Sequence, residues 1–321
     1  MKLGEAEGLI RKELATIYDS AESANIALLV LEDCTGISGP RLVMDKEQEL
    51  NEEQDAKIRK HIQRLLLHEP IQYIMEKAWF YGMELYVDKN VLIPRPETEE
   101  LVDWIVKDVK ASGKDVFKKA PTDADVTKQL KILDIGTGSG CIALALKKTM
   151  PRGEVWGCDV SEEALNVARR NGSSLDIRVD FQGIDFLDEA QQKFLPTVDI
   201  IVSNPPYIPW NEKETMNTNV VNHEPHTALF VPDDDALVFY KSIAHFARKR
   251  LYENGTIYLE IHEDLGTKAM RIFQEEGYKS IELRKDMQGK DRMVRASLNP
   301  PGEGPPQTPP RKGLPSHRRP A

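Results

Sequence analysis

The residues best suited to chemistry are four consecutive ones, Asn204-Pro205-Pro206-Tyr207. Neither proline has a backbone N–H, so this segment offers carbonyl oxygens that accept hydrogen bonds and few groups that donate them. Asn204 adds a side-chain carbonyl oxygen, and Tyr207 adds a flat aromatic ring. The combination suits a planar group that carries an NH2, such as a carboxamide or the exocyclic amine of a base. A proline-rich turn without a ligand is the structural alternative.

A glycine-rich segment at 134–140, Asp-Ile-Gly-Thr-Gly-Ser-Gly, is the second candidate. Its glycines would let the backbone approach a ligand closely, just ahead of a helix N-terminus. The spacing is G-x-G-x-G, and Cys141 stands where a dinucleotide fingerprint would have its last glycine. We therefore predict a nucleoside ligand without a pyrophosphate. The ligand-binding residues predicted in this loop are Gly136, Thr137, Gly138, Ser139 and Gly140.

Three further residues suit the parts of a nucleoside. Asp159 follows the glycines by roughly 20 residues, where a carboxylate can accept hydrogen bonds from both ribose hydroxyls. Asp185 suits an adenine amine, and Phe186 suits the face of its ring. Structural alternatives exist, because Asp159 could cap a helix that begins near Ser161 and Phe186 could belong to the core. We predict a site because these residues end successive strands, where doubly wound sheets bind ligands.

The elements that would position these residues alternate between strands and helices. Apolar, β-branched runs predict strands at 131–135, 154–159, 176–181, 198–203, 256–261, 278–284 and 292–298. Helical periodicity predicts helices at 141–148, 162–171, 237–251 and 265–276. This alternation is typical of an α/β fold with a doubly wound, Rossmann-like parallel sheet of seven strands. The last two strands, joined by a short polar link, predict an antiparallel edge.

The chain in front of this region has a different pattern. Apolar stripes at helical spacing predict a small helical bundle over residues 1–75. Two β-prone runs around the polar residues 88–90 predict a hairpin linker. Prolines and acids at 94–100 mark the start of a helix, and 107–129 is expected to be its end followed by a mobile loop.

We therefore expect four regions along the chain. These are a helical domain at 1–75, a hairpin linker at 76–94, an α/β domain at 95–298 and a disordered proline-rich tail at 299–321.

Composition and charge narrow the class of protein. The 321 residues are 40% apolar and 30% charged, and no apolar run approaches the ~20 residues that cross a bilayer. The N-terminus resembles neither a secretory signal nor a mitochondrial presequence, so we expect a cytoplasmic protein without membrane partners. The three cysteines, Cys34, Cys141 and Cys158, lack paired metal spacing, so we expect reduced thiols and no metal site.

The charge balance also bears on nucleic acid. The net charge is −9, but the last 22 residues hold four Lys/Arg against one Glu, which leaves −12 for the remainder. A chain this acidic is poorly suited to gripping duplex phosphates, so we expect no duplex nucleic acid as a partner.

Taken together, the motifs resemble the class I S-adenosylmethionine-dependent methyltransferases. The resemblance rests on Asp159 and on the segments 93–99, 134–140 and 204–207. Asn-Pro-Pro-Tyr is shared with amino-methylating DNA enzymes. The segment Ile-Pro-Arg-Pro-Glu-Thr-Glu at 93–99, the helical front and Glu-Pro-His-Thr-Ala-Leu at 224–229 narrow the resemblance to the PrmC/HemK family.

That family methylates the side-chain amide of the glutamine in the Gly-Gly-Gln motif of peptide chain release factors. The resemblance runs from the helical front to about Leu298. It implies S-adenosylmethionine as cofactor and release factors as protein partners, and we expect a monomer. It also implies that 1–75 is a substrate-recognition domain and that 95–298 is the S-adenosylmethionine-dependent methyltransferase domain.

The resemblance also implies roles for individual residues. The side-chain oxygen of Asn204 and the backbone carbonyl of Pro205 would accept the two N–H bonds of the substrate glutamine, while Tyr207 packs on the amide plane. We predict Asn204, Pro205 and Tyr207 as catalytic residues, with Pro206, Arg95 and Glu97 as further substrate-binding residues. Cofactor binding is assigned to the glycine loop, Asp159, Asp185, Phe186 and Asn204.

Two other functions remain open on the sequence alone. An N6-adenine or N4-cytosine DNA methyltransferase explains the tetrapeptide equally well, because base amines and carboxamides present similar edges. The charge of −12 and the absence of an obvious basic insert argue against it. A non-catalytic binding module that retains the fold is the third hypothesis, and the intact Asn204 and glycine loop argue against that.

Overall fold

The computed structural model describes residues 1–114, 116–117 and 129–299. Most of the loop predicted at 107–129 and nearly all of the tail predicted at 299–321 lie outside the described residues. Within the described part of the chain, no helix is both long enough and apolar enough to cross a membrane. All three cysteines are free, and two of them, Cys34 and Cys158, are buried.

The N-terminal helices pack around a core of their own. Asp19 and Asn51 accept hydrogen bonds from the first turns of the second and fourth helices, which fixes where these helices begin. Most residues of the predicted apolar stripes face inward, and Ile10, Leu31 and Ile58 are almost fully buried, whereas Leu28 of the second stripe is 39% exposed. The helices are α1 (Leu3–Leu14), α2 (Ser20–Thr35), α3 (Pro40–Met44), α4 (Glu52–Leu66) and α5 (Ile71–Met75).

A two-stranded hairpin follows, but its turn is not where the sequence predicted it. Strands β1 (Lys77–Phe80) and β2 (Met83–Tyr86) pair across Tyr81 and Gly82 rather than across 88–90. Both turn residues have positive φ, +48° and +67°, which is the geometry that tight hairpins prefer. The apolar run before 88–90 therefore contains the whole hairpin, and 91–93 is not a strand.

The rest of the described chain builds the predicted α/β domain. Its strands are β3 (Lys131–Ile135), β4 (Glu154–Asp159), β5 (Asp180–Gly183), β6 (Val198–Ser203), β7 (Ile208–Pro209), β8 (Phe230–Val231), β9 (Leu251–Glu260), β10 (Ser280–Lys285) and β11 (Asp291–Ser297). Its helices are α6 (Pro96–Ala111), α7 (Cys141–Thr149), α8 (Glu162–Ser174), α9 (Glu189–Gln192), α10 (Thr218–His223), α11 (His226–Leu229), α12 (Val238–Arg250) and α13 (Gly266–Glu275), with a 3₁₀ helix at Trp210–Thr215.

Among the described residues, the main sheet has seven strands in the order β10-β11-β9-β6-β3-β4-β5. The strands from β9 to β5 in this order are parallel, whereas β11 runs antiparallel to both of its neighbours. The predicted doubly wound sheet with an antiparallel edge is therefore confirmed. The strand order reverses between β3 and β6, which is the point at which such sheets open a crevice for ligands.

Helices cover both faces of this sheet. Alternate residues of β3 point to opposite sides, so Ile132 packs against the α6 and α7 side while Leu133 packs against the α12 and α13 side. The central strands are buried on both faces because of this arrangement, which agrees with their continuous apolar sequences.

Two strand predictions differ in their limits. The strand predicted at 176–181 begins only at Asp180, since Asp176 has φ +53° and belongs to the turn that ends α8. The strand predicted at 256–261 begins earlier, at Leu251. The short elements between Ile208 and Val231 carry no regular periodicity and were not predicted.

Candidate active site at the carboxyl ends of the strands

The carboxyl ends of β3, β4, β5 and β6 meet at a cavity. Its wall includes residues from each of the predicted segments after those strands, namely Gly136, Asp159, Phe186 and Asn204. The sheet thus brings together residues that lie up to 68 positions apart in the sequence, as the strand-end argument predicted.

Two glycines of the loop after β3 form part of the cavity wall. Gly136 and Gly138 have φ of +70° and +52°, a left-handed conformation that favours glycine. A Cβ at either position would meet no atom within 4 Å, so the loop leaves open space beside its backbone. The backbone N–H of Gly138 donates to Asp159 Oδ2 at 2.9 Å.

The other three predicted loop residues are not among those that line the cavity. The Thr137 hydroxyl donates to the buried carboxylate of Asp134 at 2.7 Å, and the Ser139 carbonyl accepts from the side chain of Asn171 at 3.0 Å. Gly140 precedes α7, and a Cβ there would approach the side chain of Ala168 to 3.1 Å. These contacts hold the loop in place on the side that faces away from the cavity.

Asp159 lies at the end of β4 with both carboxylate oxygens already bonded to the backbone. Oδ2 accepts from Gly138 and Oδ1 accepts from Ser161, the latter at 3.0 Å. Burial raises the pKa of Asp159, and the backbone N–H groups of Ser161, Gly138 and Val160 partly offset this rise. Each oxygen has a second lone pair, so the carboxylate can still accept from a ligand.

Asp185 and Phe186 line the same cavity. Asp185 Oδ1 accepts the backbone N–H of Leu187 at 3.0 Å, which leaves its other oxygen for a ligand. Phe186 is 5% exposed and packs edge-to-face on Phe246 at 5.2 Å, so it belongs to the core and to the cavity wall at once.

A second cavity also borders the Asn-Pro-Pro-Tyr segment. Asn204 and Pro205 line both cavities, whereas Tyr207 and Arg95 line only the second. Asn204 and Pro205 therefore stand where the two spaces adjoin, and Pro206 lines only the first.

A chain of hydrogen bonds orients the side chain of Asn204 through its Nδ2 atom. Asn204 Nδ2 donates to Thr98 Oγ1 at 3.1 Å, and the Thr98 hydroxyl donates to Glu260 Oε2 at 2.7 Å. Tyr207 donates its hydroxyl to the other oxygen, Glu260 Oε1, at 3.2 Å. Burial raises the pKa of Glu260, although the hydrogen bonds from Thr98 and Tyr207 and the charge of Arg292 counteract it.

Arg95 and Glu97 are both engaged within the protein. Arg95 pairs with the buried carboxylate of Glu224 at 2.5 Å, and the N–H of Ile93 donates to the same carboxylate at 3.4 Å. This ion pair joins the 93–99 segment to the 224–229 segment at the second cavity. Glu97 instead accepts from Gln288 in the turn between β10 and β11, at 3.2 Å, and it lines neither cavity.

Three histidines near the second cavity make contacts within the protein. His223 Nε2 lies 3.0 Å from the carbonyl of Leu67, and His226 Nε2 lies 2.8 Å from the carbonyl of Val221. His262 Nδ1 accepts the N–H of Asp264 at 3.2 Å while its Nε2 faces Glu212. Each imidazole is thereby oriented by neighbouring groups of the fold.

Sequence reasoning missed Thr98 and Glu260, which lie 162 positions apart. Thr98 belongs to the 93–99 segment that was quoted for the family resemblance, but its contacts with Glu260 and Asn204 depend on the packing of α6 against the sheet. It also missed the 90–92 segment, which lines the first cavity where the hairpin linker meets the sheet.

One group of side chains with metal-ligating atoms lies in the helical bundle, away from both cavities. Asp33, Cys34 and His61 have such atoms within 4.8 Å of one another. Asp33 Oδ2 already lies 2.9 Å from both Lys57 Nζ and His61 Nε2, so internal partners occupy it.

The chain is similar to two families of domains and to many known proteins. Residues 118–228 match the methyltransferase small domain, and residues 9–75 match the PrmC N-terminal domain. A release factor glutamine methyltransferase of Flavobacterium psychrophilum is 39% identical over 288 residues, which cover 89% of this chain and 95% of that protein. Its counterpart in Bacteroides thetaiotaomicron is 40% identical over 289 residues, covering 90% and 97%.

A solved structure shares the fold at much lower identity. The catalytic domain of hMettl16 in complex with MAT2A 3′UTR hairpin 6 superposes with a TM-score of 0.51 at 17% identity, covering 70% of this chain and 79% of that one. Such a likeness supports the fold of the sheet domain and nothing finer.

Proposed function

This chain belongs to the PrmC/HemK family of release factor glutamine methyltransferases, and from that premise we propose that it methylates the glutamine of the Gly-Gly-Gln motif in peptide chain release factors. The methyl group comes from S-adenosylmethionine and goes to the side-chain amide nitrogen. One observation carries this proposal: Asn204 and Pro205 line both cavities, where a donor in one and a glutamine in the other would meet.

The first cavity fits an adenosyl donor. Gly136 and Gly138 leave room for close approach, Asp159 offers lone pairs to ribose hydroxyls, and Phe186 offers an apolar wall for a base. When bound, S-adenosylmethionine supplies an electrophilic methyl group on a sulfonium. The glycine loop, Asp159, Asp185 and Phe186 would hold it in the cavity that Asn204 also lines.

Asn204 and Pro205 would orient the substrate. A carboxamide nitrogen is a weak nucleophile because its lone pair is delocalised into the carbonyl. If Asn204 Oδ1 and the Pro205 carbonyl accept its two N–H bonds, the nitrogen is fixed and electron density is drawn toward the reacting side. Tyr207 would pack on the amide plane, and its hydroxyl is tied to Glu260.

The same acceptors would stabilise the reaction as it proceeds. Positive charge grows on the nitrogen during an in-line displacement, and preorganised carbonyl oxygens interact favourably with that charge. The N-protonated product amide is acidic enough to lose its proton readily, so the mechanism needs no general base. His223, His226 and His262 accordingly have no assigned step.

In this proposal, each region of the chain has its own role. The helical domain at 1–75 and the linker at 76–94 would receive the release factor, and the domain at 95–298 would carry the chemistry. Arg95 would contribute by fixing the edge of the second cavity through Glu224. We propose that the protein works as a cytoplasmic monomer, and its negative charge makes duplex DNA an unfavourable competitor.

Methyl transfer from labelled S-adenosylmethionine tests the function directly. Incubation with a recombinant release factor should label one glutamine, and a release factor with the Gly-Gly-Gln glutamine changed to alanine should stay unlabelled. Equal labelling of both proteins, or labelling of duplex DNA instead, would contradict the proposal.

An Asn204→Ala variant separates binding from catalysis. Calorimetry should give a cofactor affinity close to that of the wild type, because other residues would provide most of the donor contacts. Turnover should fall by about a hundredfold or more, since an oriented acceptor at the reacting group typically contributes on that scale. Unchanged turnover would remove Asn204 from the mechanism.

A further inference from the structure

We propose that Glu260 and Thr98 are positioning residues that fix which atom of the Asn204 side chain faces the substrate. The inference rests on the proposed function and deepens it. An asparagine carboxamide has an oxygen that accepts and an NH2 that donates, and the two have nearly the same shape. The reaction needs the oxygen toward the substrate amide, so the orientation of this one group matters.

The chain of hydrogen bonds starts at an end that can only accept. Glu260 is 2% exposed, and each of its oxygens faces a hydroxyl, Thr98 at Oε2 and Tyr207 at Oε1. The two hydroxyl donors and the positive charge of Arg292 favour the ionised form of Glu260, and a carboxylate has no proton to donate. Thr98 must therefore direct its single O–H toward Glu260 at 2.7 Å.

The direction of the next bond follows from the first. Once the Thr98 hydroxyl has donated its proton, Oγ1 retains only lone pairs, and it lies 3.1 Å from the Asn204 side chain. Only the NH2 end of Asn204 can satisfy those lone pairs. Asn204 Oδ1 is thereby turned away from Thr98, and it accepts no hydrogen bond from any residue within the described ranges.

A reversed carboxamide would have two costs. It would place an NH2 against the N–H bonds of the substrate glutamine, donor against donor, and it would set Oδ1 against the lone pairs of Thr98. Thr98 is 2% exposed, so water does not readily relieve this conflict. This buried relay, which consists of the hydrogen bonds from Asn204 to Thr98 and from Thr98 to Glu260, therefore acts through the orientation of Asn204. Neither Thr98 nor Glu260 touches a reacting atom.

A Thr98→Val variant removes the hydroxyl while keeping the shape of the side chain. The release factor KM and the cofactor affinity should stay within about twofold, whereas kcat should fall by about tenfold to a hundredfold, the scale of one lost buried hydrogen bond. Thr98→Ser keeps a hydroxyl, so it should recover most of the lost kcat. A loss confined to KM, or equal losses in the two variants, would overturn the proposal.

A double-mutant cycle with Asn204→Ala distinguishes positioning from general structural damage. Without the Asn204 carboxamide there is nothing to orient, so Thr98→Val should lower the residual rate by less than about twofold in that background. Independent, multiplying losses with an active wild type would overturn the relay alone. A wild-type chain that fails to label the release factor would overturn the proposed function together with the relay.

Discussion

At the scale of single residues, burial has a large effect on the pKa of the Asp134 carboxyl group. The carboxyl group is fully buried, and this burial raises its pKa to about 7 from an ordinary value of 3.8. The hydrogen bonds from Thr137 and Ala143 counteract the rise, while the nearby charge of Asp159 adds to it. The folded protein therefore binds this proton more tightly than the unfolded chain does.

The raised pKa of Asp134 predicts how stability depends on pH. Its contribution is fully present below about pH 4 and is lost as the pH rises toward about 7, because the unfolded chain releases the proton first. An Asp134→Asn variant does not titrate, so its free energy of unfolding should decline less over this range, by up to a few kcal/mol. Urea denaturation at several pH values would measure this, and parallel curves for the two proteins would contradict it.

Residue types and spacing predicted several residues that line the first cavity, but they did not predict the hydrogen bonds that orient Asn204. The glycines and Asp159 are recognisable because a short motif and a following strand end define them. Thr98 and Glu260 have no such signature, since a threonine in a helix and a glutamate ending a strand are common. Only the packing of distant elements gives them a shared partner.

At the scale of elements, the close approach of β4 to its neighbours depends on Gly157. This residue pairs with Asp134 on one side and Phe181 on the other. A Cβ here would lie 2.8 Å from the Phe181 ring and 2.8 Å from Thr137 Oγ1. Any side chain would therefore push on the edge strand β5 and on the glycine loop at once.

A Gly157→Ala variant should lose about 1–3 kcal/mol of stability and bind the adenosyl donor more weakly. Thermal denaturation and calorimetry would measure the two effects. Gly8→Ala is the matched control, because Gly8 is exposed in α1 and a Cβ there meets nothing within 4 Å. That change should raise stability by about 0.5–1 kcal/mol through helix propensity. Equal effects of the two substitutions would refute this reading of β4.

Periodicity predicted the sheet and its flanking helices well because long, buried elements repeat their apolar residues many times. It failed at short elements, where the backbone conformation of one residue decides where a turn lies or a strand begins. The positive φ of Tyr81 and Gly82 moved the hairpin turn, and that of Asp176 delayed the start of β5. Such backbone choices depend on tertiary contacts, which a single sequence does not display.

At the scale of the whole molecule, a small apolar cluster joins helix α5 of the bundle to the linker and the sheet domain. Tyr73 of α5, Val91 of the linker and Ala164 of α8 share it. The Tyr73 hydroxyl also donates to the carbonyl of Val91 at 2.5 Å, in a buried position. This cluster and this hydrogen bond couple the helical bundle to the sheet domain.

Substitutions at Tyr73 should reveal this coupling. The wild type is expected to unfold in one calorimetric transition, and Tyr73→Phe should lower its stability by about 1–3 kcal/mol while keeping one transition, because only the hydroxyl is lost. Tyr73→Ala should separate the unfolding of the bundle from that of the sheet. A single transition in Tyr73→Ala would show that other contacts maintain the coupling.

In the proposed mechanism, the pair of acceptors formed by Asn204 Oδ1 and the Pro205 carbonyl would also limit how far the reaction proceeds. A primary amide has two N–H bonds, one for each oxygen, whereas the methylated product has only one. In a second round, one oxygen would lose its partner and face a methyl group instead. The site would thus distinguish an amide with two N–H bonds from one with a single N–H bond. We therefore expect a single methylation, after which the secondary amide is released.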